Sequence, residues 1–234
     1  MIDQGGTFTD VIALNPHQEI VSLKVLSNNR ELNESSVFVG INKLMKDNQE
    51  LANYPINSIK IGTTIATNAL LERKGEKVLL CVTKGFKDNF VIGDQKRKDL
   101  FARHFTRKSN LYKDVIEIDE RISKDGRILK KINKEKTRNT LKKFVKKGIK
   151  SISVVLINSF KFPVHEKTIK SIAKEVGFEF ISCSYLITPT INYTTRGYTT
   201  LVDAYLNPLI KSYVKKITKK IKANEIAFMQ SNGF

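Results

Sequence analysis

The spacing of apolar and polar positions breaks the chain into short segments of two periods, about 2 and about 3.6. The opening reads as a strand ending at Gly5-Gly6, a second strand through TFTDVIAL and a third in QEIVSLKVLS. NESSVFVGINKLMKD has Val37, Ile41, Leu44 and Met45 at helical spacing. IKIG predicts a strand. TTIATNALLERKG predicts a helix with Thr63 or Thr64 as N-cap and Gly75 just past its end. KVLLCVT is a continuous apolar run and predicts a buried strand.

From about Gly85 to Ile132 the pattern weakens to short alternations such as DVIEIDERI and an Asp125-Gly126 turn, which predicts an insertion with small strands. KEKTRNTLKKFVKKG then leads into SISVVLI and VHEKTIKSIAKEVG into FEFISCS, each helix closing on a glycine. Asn207-Pro208 predicts the start of a final long helix with Tyr213, Val214, Ile217 and Ile221 on one face. IAFMQS reads as a last strand with no partner after it. Strands alternating with helices imply an α/β fold whose sheet is parallel at least in this part.

Composition narrows the class. A chain of 234 residues that is 41% hydrophobic can bury a substantial core. No apolar run is long enough to cross a bilayer, and MIDQGGTFTD lacks the regions of a signal peptide, so a cytoplasmic protein without membrane contact is expected. Cys81 and Cys183 lie in strand-like apolar runs, where a small buried hydrophobe fits better than a disulfide. His17, His104 and His165 form no pair at metal-ligand spacing, and His165-Glu166 lacks the second histidine of a zincin helix.

The net charge of +18 raises nucleic-acid or membrane binding. The lysines recur along KKINKEKTRNTLKKFVKKGIK and KSYVKKITKKIK without an interleaved aromatic stacking platform, which favours solvated helix faces and no specific nucleic-acid partner.

The segment with the clearest chemistry is Asp3-Gln4-Gly5-Gly6-Thr7-Phe8-Thr9-Asp10, at the tip of the first hairpin. Two glycines let backbone N–H groups approach a phosphate, threonine hydroxyls add hydrogen bonds, and a carboxylate at the strand end can hold Mg²⁺ through water. It is not a P-loop, since no GxxxxGK[ST] run precedes a helix. A Gly-Gly-Thr turn by itself also fits a plain hairpin.

DxGGTFTD resembles the first phosphate motif of the actin-like ATPase superfamily, and GGTFTD resembles the hydantoinase A/5-oxoprolinase family in particular. The resemblance continues in order through Gly62–Gly75, Lys84–Gln95 (KGFKDNFVIGDQ), Leu111–Ile122 (LYKDVIEIDERI), Leu156–Glu166 (LINSFKFPVHE), Thr199–Pro208 and Phe228–Gly233. It implies an RNase-H-like domain, with residues 1–185 as the nucleotide-binding domain and 186–234 as the start of the hydantoinase A domain, incomplete at the C-terminus.

It also implies an enzyme that uses ATP and Mg²⁺ to phosphorylate the carbonyl oxygen of a cyclic amide such as 5-oxoproline or a hydantoin before ring opening. Related ketone carboxylases, or a non-catalytic module that pairs with another chain, are the alternatives. In this scheme Gly5, Gly6, Thr7 and Thr9 contact phosphates. Asp3 serves the metal and, with Asp10, catalysis. Gly62, Thr63, Thr64, Asn68 and Arg196 are assigned to substrate or phosphate. Gly62-Thr63-Thr64 stands equally well as a mere helix cap. Arg73 is placed on the same helix. The acidic residue that the family often has is replaced by Asn192, which marks a variant subgroup, and Asp203 is a candidate polar cleft residue that reads better as a polar helix surface.

Two departures shape the remaining expectations. The first strand, beginning at Met1-Ile2-Asp3, is shorter than the one that normally supports this motif, and FMQSNGF stops before the second phosphate loop of the superfamily. A missing C-terminal half, or a hydantoinase B-type subunit, is therefore the expected partner.

Overall fold

The computed structural model describes residues 1–27, 35–93 and 110–229. Residues 33–34 of the first predicted helix, 94–95 of KGFKDNFVIGDQ, His104 and 230–233 of the FMQSNG segment lie outside the described residues. The chain packs as two compact units, Met1–Lys74 with Leu209–Phe234, and Gly75–Pro208.

In the first unit β1 (Ile2–Gln4) and β2 (Phe8–Leu14) form the predicted antiparallel hairpin, and β3 (Ile20–Leu26) continues it. The Gly5 amide donates to the Phe8 carbonyl at 3.0 Å and closes the turn. One face of the hairpin, with Ile2 and Val11, is buried with residues of α1 (Ser36–Asp47), whose Val37, Phe38 and Leu44 are also buried. Gly40 permits the close approach, because a Cβ there would stand 2.6 Å from the Val11 side chain. After α2 (Gln49–Ala52), β4 (Ser58–Thr63) pairs with β1 in parallel. As expected, β1 is short, with three residues against the seven of β2 and six of β4.

The helix α3 (Ile65–Leu71) ends earlier than predicted. Arg73, not Gly75, takes the left-handed position at φ 57. The Lys74 amide reaches the Ala69 carbonyl at 2.9 Å and that of Arg73 reaches Leu70 at 3.4 Å, the paired bonds of a Schellman ending. Arg73 thus lies just beyond the helix. Gly75 serves packing in the second unit, where a Cβ would fall 2.2 Å from the Tyr205 ring.

The second unit holds β5 (Val78–Thr83), α4 (Asn89–Ile92), β6 (Tyr112–Ile118), β7 (Arg121–Ile122), β8 (Ile128–Lys130), α5 (Lys134–Lys146), β9 (Ser151–Val155), α6 (Val164–Val176), β10 (Phe180–Cys183) and α7 (Ser184–Ile187). β5 and β9 are buried throughout, as continuous apolar runs require in a covered parallel sheet. Both helix-to-strand units close as predicted, with Gly148 at φ 79 and Gly177 at φ 103.

The expected insertion is corrected at one point: β6 is a full member of the parallel sheet, whose order is β10-β9-β5-β6. It buries Ile116 and Ile118 on one face, whereas Tyr112 and Val115 on the other are only partly buried against Leu80, Val82, Phe90 and Val155, which is why its sequence alternates like an independent small strand. Among the described residues of this stretch, only β7 and β8, joined by the Asp125-Gly126 turn with Gly126 at φ 86, form a separate small hairpin.

The final helix is also corrected. α8 (Tyr193–Lys220) starts fourteen residues before Asn207, and Pro208 lies inside it. Pro208 has no N–H for the Ala204 carbonyl, and the Ser151 hydroxyl supplies the donor instead at 2.6 Å. The next carbonyl, Tyr205, accepts from the Glu76 amide at 2.9 Å. From Leu209 onward the helix belongs to the first unit, where Tyr213, Ile217 and Ile221 are buried with Ile2, Ile59 and Ile61. β11 (Glu225–Phe228) then pairs in parallel with β4, giving the first unit a sheet of order β11-β4-β1-β2-β3. The fold is a mixed α/β one of the RNase-H-like class.

Candidate phosphate-binding site

The turn Gly5–Thr7 rests on a chain of hydrogen bonds within the first unit. Tyr213 donates its hydroxyl to Gln4 Oε1 at 2.6 Å, and Gln4 Nε2 donates to Ser36 Oγ at 3.1 Å. Ser36 Oγ meets Thr9 Oγ1 at 2.7 Å, and Thr9 Oγ1 meets Ser27 Oγ at 2.8 Å. Ser27 Oγ donates to the Gly5 carbonyl at 2.8 Å, and its amide donates to the Thr7 carbonyl at 2.8 Å. Burial raises the Tyr213 phenol above its ordinary pKa, so it remains a donor.

Two consequences follow for the expected roles. Thr9, placed on the phosphates by the sequence, is fully buried with its hydroxyl engaged beneath the turn. Gly5, Gly6 and Thr7 are the residues at the surface of the turn, and Gly6 and Thr7 are exposed. Gln4, Ser27, Ser36 and Tyr213 were not read as site residues in the sequence, because their meeting depends on contacts as distant as Gln4 to Tyr213.

On the other face of the sheet the ladder sets Lys24, Asp10, Asp3 and Gly62 side by side across β3, β2, β1 and β4. Directly opposed positions share a face. Lys24 Nζ lies 3.1 Å from Asp10 Oδ1, so the Asp10 carboxylate is already engaged. Asp3 has no ion pair among the described residues, and it is exposed. Gly62 is closely approached from this side, since a Cβ there would stand 3.0 Å from the Met229 side chain and 3.4 Å from Asp3 Oδ1. One carboxylate without an ion pair beside a glycine turn is a donor set that suits Mg²⁺, which binds one or two carboxylates and completes its shell with water and phosphate oxygens.

The segment Gly62-Thr63-Thr64 adjoins the turn. The Thr64 amide donates to the Gln4 carbonyl at 3.1 Å, and the Ile65 amide donates to Thr63 Oγ1 at 3.2 Å. These donors serve the protein itself. Asn68 Nδ2 donates to Thr64 Oγ1 at 3.2 Å, and it lies 3.1 Å from where a Cβ on Gly6 would be. Asn68 is thus brought against the Gly5–Thr7 turn.

Arg196 belongs to the second unit and is 1% exposed. Its Nε donates to Ser184 Oγ at 3.0 Å, Nη1 to the Thr190 carbonyl at 2.7 Å and Nη2 to the Leu156 carbonyl at 2.8 Å. Ser184 passes the contact on to Glu166 Oε1 at 2.6 Å. Burial pushes the Glu166 carboxyl above its ordinary pKa, against its hydrogen bonds from Ser184 and the Leu156 amide. Asn192 caps α8, accepting from the Thr195 amide at 2.9 Å, a role that aspartate fills equally well. Asp203 is half-buried and accepts from Ser182 Oγ at 2.5 Å. Among the described residues no group of His, Cys, Asp and Glu could hold a metal by itself. None of their helices is long and apolar enough to cross a membrane.

Residues 1–177 match the hydantoinase/oxoprolinase N-terminal region. The chain belongs to this family. A 5-oxoprolinase of Dictyostelium discoideum is 39% identical over 269 residues, which cover 99% of this chain and 21% of that protein. The crystal structure of an ATP-dependent caprolactamase from Pseudomonas jessenii superposes with a TM-score of 0.83 at 23% identity, covering 99% of this chain and 35% of that one. A nucleotide-free acetone carboxylase superposes at 0.76 with 19% identity over 93% of this chain and 33% of that one. At these identities the two structures show the fold. The chain spans about a fifth of the length of the curated relative.

Proposed function

We propose that this chain is the ATP-binding first part of a cyclic-amide hydrolase of the 5-oxoprolinase type. Gly5, Gly6 and Thr7 cradle the ATP phosphates, Asn68 flanks them, and Asp3 holds Mg²⁺ through its water shell. Bound ATP and Mg²⁺ would supply the phosphoryl group and neutralise its charge. The chain's own contribution is positioning, on which phosphoryl transfer chiefly depends. Thr9 acts from below as a positioning residue, and Asp10 acts by fixing Lys24 beside the turn. Residues 1–185 carry the nucleotide-binding function, and 186–234 open the following domain while lending Tyr213 to the turn's support. The partner is the remainder of a longer chain or a hydantoinase B-type subunit, and the substrate is a small cyclic amide.

The observation that carries this reading is the hydrogen-bond chain from Tyr213 to the Gly5 carbonyl, which holds an exposed glycine turn beside an unpaired carboxylate. A plain hairpin needs no such support. Calorimetric titration with ATP and MgCl₂ tests it. ATP binding should require Mg²⁺, weaken in Asp3→Asn and vanish in Gly6→Val while both variants keep the wild-type circular dichroism. Unchanged binding by folded Gly6→Val would remove the phosphate assignment.

A further inference from the structure

We propose that the first unit binds the carboxy-terminal tail of a partner chain as an added β-strand, in a slot between β2 and β4. β1 lies between these two strands, with Ile2 level with Val11 and Ile61. On the Met1 side of β1 the two neighbours run on, β2 through Ala13 and Leu14, and β4 back to Ile59 and Ser58. They stand there two strand spacings apart, about 9.6 Å, with no strand between them among the described residues. A cavity of about 790 Å³ occupies the gap, lined by both strands and by α1 and α2.

The backbone on both sides of the slot is set to pair. The Asn15 amide donates to the Glu19 carbonyl at 3.0 Å on the β3 side, and the Asn57 carbonyl accepts from the Glu225 amide at 3.0 Å on the β11 side. Successive residues of a strand direct their N–H and C=O groups to opposite sides. Leu14 and Ser58 therefore turn theirs into the slot, where neither meets a pairing strand among the described residues. Such unpaired groups are a template for a further strand, and a segment entering here finds one on each side. It runs in the direction of β1, antiparallel to β2 and parallel to β4.

Register and burial specify the side chains of the tail. Continued past Met1, the register gives the levels Ala13 with Ile59, Leu14 with Ser58, and Asn15 with Asn57. Ile59 is buried and Ala13 half-buried, whereas Leu14 and Ser58 are exposed. An added strand thus presents its first and third residues to Ile41, Leu44 and Met45 of α1 and its second to solvent, which selects an apolar, polar, apolar sequence. Charge specifies its end. The third residue falls at the Met1 α-ammonium, which donates to the Ile12 carbonyl at 2.6 Å. Burial, and then the Lys60 charge, lower the pKa of that ammonium, and no acidic residue lines the slot among the described residues. A terminal carboxylate on the tail compensates these positive charges. Strand addition with capture of a terminal carboxylate is a mode by which sheets recognise peptides. This surface is independent of the proposed ATP role.

The test uses the full 234-residue chain and the peptide acetyl-Gly-Ser-Val-Thr-Val with a free carboxylate, followed by ligand-observed NMR. The peptide should bind saturably, and about tenfold more tightly than its carboxy-terminal amide. N-methylation of its threonine, which removes the N–H facing the Leu14 carbonyl, should weaken binding about tenfold or more, as should aspartate in place of both valines. Val-Thr-Val fused directly ahead of Met1 fills the slot in cis and should abolish binding of the free peptide, whereas Gly6→Val should leave it at the wild-type value. Failure of the peptide to bind, equal binding of the amide, indifference to N-methylation or to the aspartates, or undiminished binding by the fused chain would each overturn the proposal. Loss of binding in Gly6→Val would do so too, by tracing the signal to the turn.

Discussion

Thr9 Oγ1 and Ser36 Oγ meet at 2.7 Å, in a buried contact that joins the strand leaving the Gly5–Thr7 turn to the first residue of α1. Thr9→Val keeps the shape and removes the hydroxyl, leaving Ser36 and Ser27 without it. Loss of about 1–3 kcal/mol of stability in denaturant unfolding is expected. The ATP–Mg²⁺ affinity should fall as well, because the Gly5 carbonyl loses its fixed support through Ser27. Wild-type stability with reduced affinity would instead place the Thr9 hydroxyl on the ligand.

A side chain at Gly6 meets Asn68 first, at 3.1 Å from Nδ2. Gly6→Ala is therefore expected to displace Asn68 and weaken ATP–Mg²⁺ binding, with little effect on folding since the turn is exposed. In an Asn68→Ala background the same substitution should weaken binding less. Additive losses in a double-mutant cycle would show that Gly6 acts without touching Asn68.

How far the sequence discloses this architecture depends on how local each feature is. The Gly5-Gly6-Thr7 hairpin and the glycine endings of α5 and α6 are set by a few neighbouring residues, and they read correctly. β6 was misread because only one of its faces is fully buried, and Arg73 took the left-handed position expected of Gly75. In the site, Asp3, Gly6 and Thr7 are exposed and Gly5 half-buried, positions set by the local turn itself. The supports Ser36 and Tyr213 come from elsewhere in the chain, where nothing beside them in sequence announces the contact.

Pro208 stands inside α8 because Ser151 supplies the donor that proline lacks, and the two substitutions should be coupled. Ser151→Ala alone leaves the buried Ala204 carbonyl without its partner, for a loss of about 1–3 kcal/mol. With Pro208→Ala present, a helical N–H can take that carbonyl, so Ser151→Ala should cost less. Thermal or denaturant unfolding of the four proteins gives the coupling, and equal losses in both backgrounds would contradict it.

Glu166 gives the pH dependence a defined sign. Its pKa is raised by burial above the ordinary value of 4.5, so in the pH range between the two values the folded chain binds more protons than the unfolded one. Stability from this group is present below that range and declines as pH rises through it, becoming level above the raised value. Glu166→Gln removes the titration, so the difference in stability between variant and wild type should shift in the variant's favour across that interval. Parallel pH profiles of the two proteins in urea unfolding would show that Glu166 does not titrate there.

The last prediction concerns the length of the relatives. This chain spans 21% of the 5-oxoprolinase that it resembles at 39% identity. Its proposed phosphate turn offers a few charge-assisted hydrogen bonds, whereas tight nucleotide binding must also offset the entropy of association and desolvation. ATP–Mg²⁺ should therefore bind the 234-residue chain weakly, without turnover of L-5-oxoproline. A longer version carrying the region that follows in the relatives should bind about tenfold or more tightly, because adenine and ribose contacts then add to those of the phosphates. The comparison is made by calorimetry, with Gly6→Val in both lengths as the control for binding at the turn. Equal affinity of the two lengths would show that the first part holds the nucleotide by itself, whereas a gain that survives Gly6→Val would place the nucleotide elsewhere.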